Sequence, residues 1–216
     1  MTDGLTWLAE PGCVAYAGHY VVLARGLSLD ELTARLSTAL LYRSEHVVVP
    51  VGKHTGASLL DLIEERYGDH YDGIGLRLGR TGEWSYAVAY GGWPSEFGPL
   101  TSVSEDGTDV CVLEYEEMNG KPVPPHFAYL RDGRAVSVFN MHLDASWGYD
   151  GIDGDPGTAA RLERRLAAAG LPDQEREGRE VYRVALGVVG EFFGLSLPEE
   201  RIVSGALPAV LLEPAA

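Results

Sequence analysis

Apolar and polar positions alternate in two rhythms along the chain. GHYVVLARG, over 18–26, is rich in β-formers and stops at glycine, which predicts a strand. SLDELTARL follows, with Ser28 and Glu31 at capping-box spacing and Leu29, Leu32 and Leu36 on one face, which predicts a helix. HVVVPV (46–51) is a short continuous apolar run, and ASLLDLIEERYG (57–68) carries Leu59, Leu60, Leu62 and Ile63 at helical spacing. The order so far is strand, helix, strand, helix. From Gly73 the period falls to two. GIGLRLGR and EWSYAVAYGG predict a hairpin about Thr81-Gly82, and TDVCVLEYEE, HFAYLRDG and RAVSVFNM predict three further strands in a meander, the last two joined at Asp132-Gly133.

The helical rhythm then returns. Asp155 before Pro156 predicts an N-cap with proline in the first turn, and Gly170 closes a helix over 158–169. Residues 175–194 form a second amphipathic pattern, with Val181, Val184, Ala185, Val188 and Phe192 on one face. Ser196 and Glu199 have the spacing of another capping box, and PAVLLEP predicts a last edge strand. MNGKPVPP reads as an exposed loop. With no domain-sized linker and no internal repeat, residues 1–216 are expected to form one α+β domain: a largely antiparallel twisted sheet of five to seven strands with helices on one face.

Charge narrows the function. The chain has 45% hydrophobic residues and a formal net charge of -15, and residues 93–156 hold twelve Asp or Glu against three Lys or Arg. Phosphate-backbone binding needs a concentrated basic face, so nucleic acid is an unsuitable partner, and an anionic membrane surface would repel the chain. No window is apolar enough to span a bilayer and the N-terminus lacks a signal-peptide pattern, so a cytoplasmic setting is expected. Cys13 and Cys111 lie in apolar runs that suit buried free thiols.

Four segments also resemble an uncharacterised actinobacterial family: WLA (7–9), LARGLSLDELTARL (23–36), HFAYLRDGRAVSVF (126–139) and DPGTAARLERRLAAAGL (155–171). These are capping, hairpin and packing signatures. The resemblance implies a shared fold and source, and carries over no active-site residue.

Candidate chemistry concentrates in FNMHLDASWGYDGIDGDPG (139–157). Calcium needs six to eight oxygens, but this run lacks the downstream glutamate of a calcium loop and Asp155 is accounted for as an N-cap, so no metal is assigned. His142 and Asp144, two apart, would share a face if the strand continued through them, and His126 falls near them across the Asp132-Gly133 hairpin. This trio is the candidate acid/base cluster. GKHTG (52–56) lacks the length and spacing of a phosphate loop, and no GxSxG or CxxC occurs, so no cofactor is expected.

Trp84 on a strand, with Trp93 and Trp147 in loops, could line an apolar pocket or act as contact hot spots. Two functions fit. The first is a non-enzymatic binding or regulatory module, of the immunity type, that engages a basic protein or cationic ligand through Glu116, Asp150, Asp153 and the tryptophans. The second is a cofactor-free enzyme of specialised metabolism acting on a small molecule, with His142 and Asp144 as acid/base pair in a pocket holding Trp84 and Trp147.

Overall fold

A computed structural model describes residues 4–15, 18–40, 46–69, 71–92, 96–116, 124–145, 148–173 and 175–215. Among these lie nine strands: β1 (Gly18–Arg25), β2 (His46–His54), β3 (Ile74–Thr81), β4 (Trp84–Tyr90), β5 (Asp109–Glu116), β6 (His126–Arg131), β7 (Arg134–Asn140), β8 (Asp153–Gly154) and β9 (Leu207–Pro214). They form one sheet in the order β2-β9-β3-β4-β1-β5-β6-β7-β8. Every neighbouring pair is antiparallel.

The α+β class and the antiparallel sheet match the expectation, while the strand count exceeds five to seven. β8, a two-residue edge strand, has no counterpart in the sequence reading, whereas β9 is the predicted last strand. The latter is no edge strand: it lies between β2 and β3, and the edge is β2, where Pro50 coincides with a register shift. Proline removes a ladder donor and suits that position. The predicted meander holds for β5-β6-β7, but β1 is inserted between β4 and β5.

Five helices accompany the sheet: α1 (Leu29–Thr38), α2 (Gly56–Tyr67), α3 (Pro156–Ala168), α4 (Gly178–Phe193) and α5 (Glu199–Val203). Their ends follow the expected chemistry. Ser28 and Glu31 form a reciprocal capping box, Thr55 and Ser58 make a second, and Asp155 accepts the Thr158 N–H at 2.7 Å ahead of Pro156. The Ser196/Glu199 box does not form, because Pro198 is the N-cap residue of α5. The GKHTG segment is spent on the α2 cap, with His54 beside Ser58.

Two cores flank the sheet, where helices on one face only were expected. Val21, Leu23, Tyr86, Val88, Leu113 and Phe127 face one side, under α2, α3 and α4; Val22, Ala24, Ala87, Val110 and Val112 face the other, under Leu32 and Leu36 of α1. Helices therefore cover both faces. The continuous apolar run YVVLA within β1 required this: a strand apolar at successive positions must be buried on both sides.

One charge is buried within the first core. Arg77 on β3 is fully buried and its guanidinium donates to the carbonyls of His54, Arg201, Ile202 and Gly205 and to the Tyr90 hydroxyl. Donors directed at the last carbonyls of α5 meet the negative end of that helix and tie it to the sheet.

Candidate functional site

The acidic residues of the middle of the chain gather where β5, β6, β7 and β8 run side by side. Glu114 and Glu116, two apart on β5, project to the α1 side of the sheet, since side chains alternate along a strand. Register then sets Glu114 opposite His126, and His126 opposite Asn140. β8 places Asp153 opposite Val138. That pairing depends on Gly154, with φ +120°, because a Cβ there would fall 2.4 Å from the Val136 carbonyl oxygen. Tyr149 and Asp150 close the rim, and the result is a cleft of about 400 Å³ lined by Glu114, Glu116, His126, Asn140, Tyr149, Asp150 and Asp153.

Its electrostatics are dominated by carboxyl groups. Burial, and then the charge of Glu116, push the Glu114 carboxyl up to about 7. Burial lowers His126, so its imidazole is neutral at physiological pH. The cleft thus holds a half-protonated carboxyl beside an uncharged histidine, with three further carboxylates on its walls. Among the described residues no three His, Cys, Asp or Glu converge as a metal ion would require.

The structure brings together Glu116, Asp150, Asp153 and His126 of the expected site residues. It separates the others. His142 and Asp144 are not on a strand: β7 ends at Asn140, whose side chain accepts the Leu143 N–H at 3.0 Å and folds the chain into a turn with Leu143 at φ +55°. His142 packs edge-on to Tyr115 at 6.5 Å between ring centroids, and Tyr115 faces the opposite side from Glu114. His126 and His142 therefore stand on different faces of the sheet. Burial lowers His142, with Asp144 opposing that shift.

Trp84 is buried on the His142 side, under the Arg25 guanidinium at 5.1 Å from the ring centre. Trp84 pairs with Arg25 at one end of β1, while Tyr115 pairs with His19 at the other, a separation of about 20 Å. Among the described residues no pocket joins Trp84 to His142. Trp93 and Trp147 lie outside the described residues.

Glu114 escaped the sequence reading although its signal was present. In VLEYEE, two glutamates at i and i+2 of a strand share a face, and that alternation was legible.

No family model, curated protein or solved structure matches the chain. Its functional reading rests on geometry and chemistry.

Proposed function

We propose that this protein is a non-enzymatic binding module whose acidic cleft receives an arginine or lysine side chain from a basic protein partner. One observation carries the reading: Glu114, held at about 7 beside Glu116 in a cleft shared with Asp150 and Asp153. A carboxyl raised by burial and by a like charge is stabilised by any cation placed against it, and the guanidinium is the weakly hydrated cation that matches paired carboxylates. The net charge of -15 supports fast, steered association with a basic partner. Two free cysteines, one buried, and no helix long and apolar enough to cross a membrane among the described residues fit a cytoplasmic regulatory or immunity-type role.

Binding of a cation displaces the Glu114 proton, so affinity for an arginine-rich peptide should rise from pH 6 to pH 8 with net proton release. Isothermal titration of a hexa-arginine peptide in two buffers of different ionisation enthalpy measures both. Affinity that is flat with pH, with no proton released, rejects the cleft as the receptor.

A second reading draws on the direct opposition of Glu114 and His126 across β5 and β6. With Glu114 raised and His126 lowered, the two could act as acid and base on a small molecule. His126→Gln separates the readings: a binder keeps its peptide affinity, whereas an enzyme loses turnover. His142→Ala should change neither.

A further inference from the structure

A second cleft, of about 910 Å³, lies on the other face of the sheet between α3, the C-terminal end of α4 and the ends of β1 and β6. Its chemistry is the reverse of the acidic one. Arg25, Arg131, Arg161 and Arg165 line it, so four of the seventeen Lys and Arg of an acidic chain converge on one cavity. Buried Asp109 accepts from Arg25 Nε at 2.9 Å and forms an ion pair with Arg131 Nε at 3.2 Å, and Glu191 lies on the wall. Even with Asp155 counted against Arg161, three carboxylates against four guanidinium groups leave the cleft positive.

Arg161 and Arg165 are the less balanced half, with the exposed N-cap carboxylate of Asp155 acting on Arg161. They stand one turn apart on α3, both exposed, at the spacing where like charges repel. Arg161 donates to the neutral Thr158 hydroxyl at 3.2 Å and lies 6.0 Å over the Phe192 ring, and among the described residues Arg165 has no side-chain partner. Beneath them Trp84, Phe192 and Phe193 supply aromatic surface. A cavity of this size that joins aromatic surface to a few convergent charges has the form of a small-molecule site.

We propose that this cleft binds a small organic anion: a flat apolar body lies on the aromatic rings, and a carboxylate, sulfonate or phosphate group is held by Arg161 and Arg165. Guanidinium groups pair with such anions by parallel N–H donation, which matches the fork presented by two arginines on one helix face. A polyanion is excluded by the charge of the rest of the chain. The site is independent of the acidic cleft, on a different face and at the opposite end of β5 and β6.

The test uses the whole protein and two probes of the same aromatic skeleton: 8-anilino-1-naphthalenesulfonate, and its uncharged counterpart N-phenyl-1-naphthylamine, each titrated by fluorescence. The sulfonate should saturate one site and bind about tenfold or more tighter than the neutral probe. Arg161→Gln combined with Arg165→Gln should weaken the sulfonate by about tenfold and leave the neutral probe unchanged, since each lost charge-assisted contact removes affinity for the anion alone. Equal affinity of the wild-type protein for both probes, absence of saturable sulfonate binding, or a double variant that binds the sulfonate like wild type would each overturn the assignment. The comparison of probes on the wild-type protein stands whether or not the variant folds.

Discussion

The acidic and the arginine-lined clefts occupy opposite faces of the same sheet and differ in how their charges are balanced. In the arginine cleft, Asp109 sits between Arg25 and Arg131 and also accepts the Tyr129 hydroxyl at 2.7 Å, so one of the four positive charges is neutralised inside the fold. In the acidic cleft burial and the charge of Glu116 both raise the Glu114 carboxyl, so the proton is held more tightly there. A site balanced by its own counter-ion tolerates being empty. A carboxyl raised in this way gains most from an external cation. The contrast locates the stability of the molecule at one pole and its responsiveness at the other.

Asp109→Asn breaks the contrast most severely. The substitution keeps shape but removes the one buried carboxylate that two arginines and a tyrosine share. The arginines are partly solvated, which limits the loss, and about 3 kcal/mol of unfolding free energy is expected from urea denaturation. The same change strips the arginine cleft of its internal counter-ion, so the naphthalenesulfonate should bind more tightly. Unaltered stability would show that the pairing is not what holds this pole together.

Glu114→Gln should act in the opposite direction. In the folded protein Glu114 titrates near 7, well above an ordinary glutamate, so its contribution to stability is full below pH 4.5 and is lost as pH rises through 7. A neutral glutamine removes that loss. Thermal melts at pH 8 should show the variant more stable by on the order of 2 kcal/mol, and at pH 4 nearly unchanged. Peptide affinity should fall in parallel, since the substitution removes the carboxylate proposed to pair with the cation. The acid limb has a separate origin. His19 is buried against Tyr182 and held at about 3 by desolvation, so stability is complete above pH 6.5 and declines as pH falls toward 3, in wild type and variant alike. A variant that is destabilised at pH 8 would contradict the account of Glu114.

These two poles were unequally legible in the sequence. Local signals carried through wherever they were self-contained: the Ser28 cap, the Asp155-Pro156 helix start, and the Asp132-Gly133 turn, where both residues have positive φ as a two-residue hairpin requires. The acidic cleft was half visible, because β5, β6 and β7 follow one another in sequence and the Asp132-Gly133 turn sets the register of the last two. The arginine cleft was not visible. Arg25, Arg131 and Arg161 come from distant segments, and nothing local says that β1 will insert between β4 and β5. Arg77 misleads for a related reason: in GIGLRLGR it alternates with leucine as a solvent-facing residue would, yet it is buried by carbonyls from β2 and from the segment around α5. His142 was misplaced by a single turn, since one asparagine side chain ended the strand two residues early.

The smallest expected effect is the most discriminating. Asp150 and Asp153 lie at the rim of the acidic cleft, both exposed, with Asp153 on the edge strand. Exposed charges contribute little to folding, so Asp150→Lys with Asp153→Lys should leave the melting temperature within about 0.5 kcal/mol equivalent of wild type. Their field still acts on an approaching cation. Peptide affinity should fall by roughly 1 kcal/mol per site in low salt and much less at 0.5 M salt, where the screening length is shorter than the cleft is wide. Naphthalenesulfonate binding should not change at moderate salt, because the sheet and more than one Debye length separate the two clefts. If the double change weakens both ligands equally, the two faces respond as one electrostatic surface and the division into opposed poles fails. If it weakens the peptide alone, and only in low salt, rim charge steers the partner while Glu114 and Glu116 hold it.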